Sequence, residues 1–127
     1  MTYLLDTQTL IWALENNPRL SAKATKLITD GDNSLWVSIA SVWEMAIKSS
    51  IKKLELTQTL EDIIKRLPEM EISLLPIQPD HILVVEKLPL LHRDPFDRII
   101  IAQAIVEKLE IISSDEQFSL YPVIFHW

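Results

Sequence analysis

Short, nearly continuous apolar runs, most of them leading into a helical stretch, constrain this chain more than any other feature. Tyr3-Leu4-Leu5, Leu35-Trp36-Val37, Ile72 to Leu75 and Glu110-Ile111-Ile112-Ser113 are such runs, and Val123 to Phe125 is a fifth. Strands that are nearly continuous in apolar residues are covered on both faces, which implies a parallel sheet with helices packed on each side. The stretches between them supply those helices. Gln8 to Leu14 turns Leu10, Ile11 and Leu14 inward, and Ser21 caps a helix that Asp30-Gly31-Asp32 stops after Thr29. Ile39 to about Ile51 sets Val42, Trp43, Ala46 and Ile47 at core spacing. Thr59 to Leu67 is amphipathic through Leu60, Ile63, Ile64 and Leu67 and is ended by Pro68, and Asp80 to Leu88 follows Pro79. The pattern predicts an α/β fold, a parallel β-sheet flanked by helices on both sides, as a single domain over residues 1–127.

The next helix carries the chemistry. In His92-Arg93-Asp94-Pro95-Phe96-Asp97-Arg98-Ile99-Ile100-Ile101-Ala102-Gln103-Ala104, Pro95 suits the first helical position and Asp94 the N-cap. The helix runs to about Leu109, and Asp97 lies in its first turn on the side of Ile100, Ile101 and Ala104. In open parallel sheets the functional crevice lies beyond the carboxyl ends of the strands. Three more acids fall there: Asp6 after the first strand, Glu44 in the helix after the second, and Asp115 after the fourth, where a short helix runs to Leu120. Each acid has a purely structural reading as well. Asp6, Asp94 and Asp115 sit where caps belong, and Ser41-x-x-Glu44 and Ser113-x-x-Glu116 have the form of capping boxes. Glu44 resists that reading best. With Ser38 as N-cap it lies well inside its helix, between Trp43 and Ile47, which read as buried.

Composition narrows what four such acids can do. There is no cysteine, so thiol catalysis and Cys–zinc sites are excluded, and the one glycine, Gly31, excludes a glycine-rich phosphate loop. Neither His81, His92 nor His126 has a partner in a nucleophile-elbow motif. Carboxylates alone suit a hard cation such as Mg²⁺, which keeps waters and works beside substrate phosphates. The net charge of −6 by itself argues against a nucleic-acid partner. Acids held on a metal would remove much of that objection, and Lys48, Lys52, Lys53, Arg93 and Arg98 stand near the acids as phosphate contacts. Trp12 and Trp43 are placed to stack a base, whereas Trp36 reads as core. No apolar run is long enough to span a membrane, and none fits a secretory leader, so a cytoplasmic protein with no membrane partner is expected.

Four ordered blocks resemble the PIN-domain ribonucleases, and among them the VapC-type toxins of prokaryotic toxin–antitoxin pairs. The blocks are Leu5-Asp6-Thr7, Ser38-Ile39-Ala40-Ser41-Val42-Trp43-Glu44, Asp94 through Ala104, and Ile112-Ser113-Ser114-Asp115. The resemblance implies a metal-dependent endoribonuclease, a hydrolase that cuts RNA with Mg²⁺ or Mn²⁺, inhibited by a cognate antitoxin and assembled as a homodimer. It carries the family's acids onto Asp6, Glu44, Asp97 and Asp115, with Asp94 and Ser113 as auxiliary residues. The chain departs from the pattern at Gln117, where some members have a further acid, and at Ser113, where a Thr is frequent. Two rivals remain. A PIN fold that only binds partners has the same sequence signature, since fold does not fix activity. A receiver-like signalling domain would want an acid pair after the first strand, an acid after the third and a late lysine. Here there are Asp6 alone, Pro76, and no lysine beyond Lys108.

Overall fold

A computed structural model describes all 127 residues. Five strands, β1 (Thr2–Leu5), β2 (Ser34–Ser38), β3 (Ile72–Leu75), β4 (Glu110–Ile112) and β5 (Phe125–His126), form one sheet in the order β3-β2-β1-β4-β5. Every neighbouring pair is parallel. Six helices connect and cover them: α1 (Thr7–Glu15), α2 (Ala22–Thr29), α3 (Ile39–Ser50), α4 (Leu60–Glu69), α5 (Pro79–Lys87) and α6 (Pro95–Glu107), with a 3₁₀ turn at Glu116–Leu120.

The two-residue period of a strand explains why the apolar runs are nearly continuous. Tyr3, Leu5, Leu35, Val37, Ile72 and Ile112 face one core with Leu10, Leu14, Met45 and Ile63. Leu4, Leu75 and Ile111 face a second core with Ile100, Ile101, Phe118 and Tyr121. Leu4, Leu5, Ile111 and Ile112 are fully buried, each stabilising the fold by roughly 1.5–3 kcal/mol relative to exposure.

The sheet grows outward from β1 to β3, then resumes with β4 on the other side of β1. That reversal is a topological switch point, where a crevice opens at the strand ends. Register fixes what lines it. Leu5 pairs with Ile112, and the Asp6 N–H donates to the Ile112 carbonyl at 3.2 Å, so Asp6 and Ser113 leave the sheet side by side.

Several expected boundaries and faces are corrected. Pro68 does not end α4 but lies in its last turn. Its missing N–H concerns only the carbonyl one turn earlier, at exposed Ile64, and the Met70 N–H closes onto Arg66 and Leu67. Helix α6 stops at Glu107, because Lys108 turns left-handed (φ 56) and caps it through Ala104. The last strand is Phe125–His126, since Val123 is held in a turn by the Tyr121 carbonyl. The largest correction is on α3. Trp43 is 61% exposed and Ala46 and Ile47 are half-buried, while Ser41, Val42, Glu44 and Met45 face inward. Apolar spacing misplaced this face because two inward positions are polar residues bonded to Thr7 of α1.

Candidate metal centre

Each acid is held by the local structure that follows its strand. Asp6 is the N-cap of α1: Oδ1 accepts from the Thr9 N–H at 2.9 Å, and Oδ2 accepts from Ser113 Oγ at 2.5 Å. Ser113 Oγ in turn accepts from the Asp115 N–H at 3.0 Å, so one buried hydroxyl couples two acids. Asp115 caps the 3₁₀ turn through the Gln117 N–H at 2.9 Å. Glu44, 6% exposed, accepts from Thr7 Oγ1 at 2.6 Å through Oε1 and pairs with Lys48 Nζ at 2.5 Å through Oε2. Asp94 caps α6 through the N–H groups of Phe96 and Asp97. Asp97 projects from the first turn of that helix.

Asp6, Glu44, Asp97 and Asp115 line one open cavity of about 390 Å³, with Thr7 and Lys48 at its wall. Burial and the charges of Asp94, Asp6, Asp115 and Glu44 together push the Asp97 carboxyl up to about 8. Burial also raises Asp6, partly offset by its hydrogen bonds from Ser113 and Thr9 and reinforced by Asp115. Lys48 is raised by its hydrogen bond to Glu44, against partial desolvation, with the charges of Glu44, Asp94 and Asp97 adding. The pocket therefore holds more negative charge than its own groups neutralise. No three acids close round a single point, but Mg²⁺ needs only one or two carboxylates and keeps its remaining waters. The oxygen-only donor set fits such a cation, with Asp6, Glu44, Asp97 and Asp115 as the residues that would hold it.

The flanking cations divide. Lys48 lines the cavity, while Arg93, Lys52 and Lys53 are exposed. Arg98 is corrected outright as a phosphate contact. It is 8% exposed, and its guanidinium donates to the carbonyls of Val85, Leu88 and Pro89 and to Tyr121 Oη at 2.9–3.3 Å. Its position in the sequence beside Asp97 hid the helical geometry, which turns residue 98 away from residue 97 and toward the end of α5. Trp12 packs with Trp127 (centroids 5.7 Å apart), and Trp43 meets Phe96 edge-on at 5.4 Å. Thr7 at the cavity wall, and Tyr121 on His92 and Arg98, carry hydrogen bonds that sequence reasoning had not assigned. Thr7 was at least adjacent to Asp6, whereas nothing local to Tyr121 signals its contact with His92, 29 residues earlier.

A parallel sheet with a switch point and an acid-lined cavity at its strand ends defines an α/β protein with an oxygen-donor pocket, and β3 ends in Leu75-Pro76 with no phosphoacceptor acid. The PIN domain family model matches residues 3–123, and the chain belongs to that family. No curated protein matches it by sequence. Among the solved structures that share its fold are three toxin–antitoxin-type assemblies named VapBC or FitAB. VapBC2 from Rickettsia felis bound to a DNA fragment from its promoter is 16% identical, with a TM-score of 0.72 over 99% of this chain and 98% of that one. VapBC-1 from nontypeable Haemophilus influenzae is 19% identical, with a TM-score of 0.67 over 99% and 97%. FitAB bound to the IR36 DNA fragment is 17% identical, with a TM-score of 0.67 over 98% and 93%.

Proposed function

We propose that this protein is a VapC-type toxin, a metal-dependent endoribonuclease that cleaves RNA phosphodiester bonds and is restrained by a cognate antitoxin. The observation that carries the reading is the gathering of Asp6, Glu44, Asp97 and Asp115 around one cavity at the sheet's switch point, with Asp97 pushed up to about 8. Like charges held this close are a strain in an apo protein and an asset once a cation is bound. A bound Mg²⁺ or Mn²⁺ would supply an activated water and stabilise the charge that develops on the phosphate.

This chain's own residues prepare that chemistry. Ser113 and Thr9 hold Asp6 in one orientation, and Thr7 holds Glu44. Lys48 balances part of the charge at the wall of the cavity, and exposed Arg93 and Lys52 are free to meet the phosphate backbone. An antitoxin partner is supported by the three structural relatives, all of them VapBC or FitAB assemblies. A homodimer and a cytoplasmic location belong to the same reading.

The deciding experiment follows cleavage of a mixed RNA pool by purified protein in Mg²⁺, in Mn²⁺ and in chelator. Cleavage that needs the metal and is lost in Asp97→Asn, with the fold retained, is the expected result. Metal-independent cleavage, or full activity in Asp97→Asn, would overturn it. Growth arrest on induction of the wild type alone, absent with Asp6→Asn, tests the toxin half of the reading.

A further inference from the structure

His92 lies just before the cap of α6, and its ring is nine-tenths buried against Tyr121, with centroids 5.3 Å apart. Tyr121 Oη stands 2.7 Å from His92 Nδ1. The same oxygen accepts from two donors that have no acceptor form, the His92 backbone N–H and Arg98 Nη1, each at 3.3 Å. A phenolic oxygen has two lone pairs and one proton. With both lone pairs taken, its proton points to Nδ1. An Nδ1–H would instead bring a third donor to that oxygen and leave the phenol proton without an acceptor. The neutral ring therefore carries its proton on Nε2. That nitrogen is buried and has no hydrogen-bond partner. Asp97 Oδ2 faces it at 3.7 Å, too far for a hydrogen bond and closed by a side-chain movement of less than about 1 Å.

We propose that His92 is a positioning residue for Asp97: Arg98 and Tyr121 fix its ring as the Nε2–H tautomer, and that N–H steadies Oδ2 so that the carboxylate's other oxygen is left for the cation. Arg98 is the anchor, its guanidinium bound to three carbonyls at the end of α5. Partners of this kind orient ligating carboxylates, and a buried N–H left unpaired is costly. The inference rests on Asp97 as a cation ligand, and the test separates the two.

Imidazole ¹⁵N correlation spectra of the metal-free wild type read the tautomer without any metal. The Nε2–H pattern is expected for His92, and Tyr121→Phe should lose that preference. Mn²⁺ affinity, followed by water-proton relaxation, should fall about tenfold in His92→Phe and be largely recovered in His92→Gln, whose amide N–H reaches the place of Nε2. An Nδ1–H wild-type ring overturns the inference, as does equal Mn²⁺ affinity of His92→Phe and wild type. Should Asp97→Asn bind Mn²⁺ as tightly as wild type, the ligand assignment falls and the inference with it. Loss of binding in Asp97→Asn together with an Nδ1–H ring overturns the role of His92 alone.

Discussion

Asp97 carries the electrostatic strain of the acid-lined cavity. Its carboxyl is pushed up to about 8 by burial and by four neighbouring acids, whereas in the unfolded chain it titrates near 3.9. The folded protein thus holds a proton that the unfolded chain has released, and stability is lost as pH rises from the unfolded value through the folded one. Asp97→Asn removes this dependence. In chelator at a pH of about 8.5 the variant should be the more stable by about 1–3 kcal/mol, and the difference should shrink toward a pH of about 4. Urea melts of both proteins at the two pH values measure it. Ser113 makes the complementary case. Its hydroxyl binds Asp6 Oδ2 and the Asp115 N–H at once, so Ser113→Ala leaves the buried Asp6 oxygen and a part-buried N–H unpaired and should cost about 1–3 kcal/mol in the same melts.

Among the elements, α5 and α6 depend on one another through Arg98. The last carbonyls of a helix are short of donors, and here the guanidinium of the next helix joins the Leu88 N–H at the Val85 carbonyl and binds the carbonyls of Leu88 and Pro89 beyond it. His81, fully buried at the start of α5, reaches Glu107 near the end of α6 at 3.1 Å. Arg98→Met should therefore behave as a folding variant, destabilised by about 2–4 kcal/mol. Arg93→Ala, on an exposed side chain, should leave the melt unchanged within about 0.5 kcal/mol and weaken RNA binding instead. Thermal melts alongside RNA titrations distinguish the two arginines, which stand only five residues apart.

At the scale of the whole molecule, the site exists only because four separate segments are brought to one end of the sheet. A cation that binds the folded pocket and not the unfolded chain stabilises by mass action. Free Mg²⁺ at one hundred times its Kd should add about 2.7 kcal/mol, several degrees in Tm. Asp97→Asn should lose most of that response while being the more stable protein in chelator. Melts across a Mg²⁺ series check both arms. No Mg²⁺ dependence in the wild type would overturn the metal site.

Local chemistry made much of this legible in the sequence. Nearly continuous apolar runs are satisfied in a sheet covered on both faces, so Leu4, Leu5, Ile111 and Ile112 announce a buried parallel sheet before any contact is known. Cap chemistry is equally local, so Asp6, Asp94-Pro95 and Asp115 mark helix starts that the structure keeps. What one residue touches across the fold is not local. Arg98 reads as a phosphate contact because it neighbours Asp97, yet one residue along a helix is a turn of about 100°, and that turn carries it to the end of α5. Trp43 reads as core and is exposed, because Ser41 and Glu44 take the inward positions to meet Thr7. The cavity, the raised Asp97 and the link from Tyr121 to His92 arise from strand order and register. Those are decided by packing among residues far apart in the chain, where no local pattern records them.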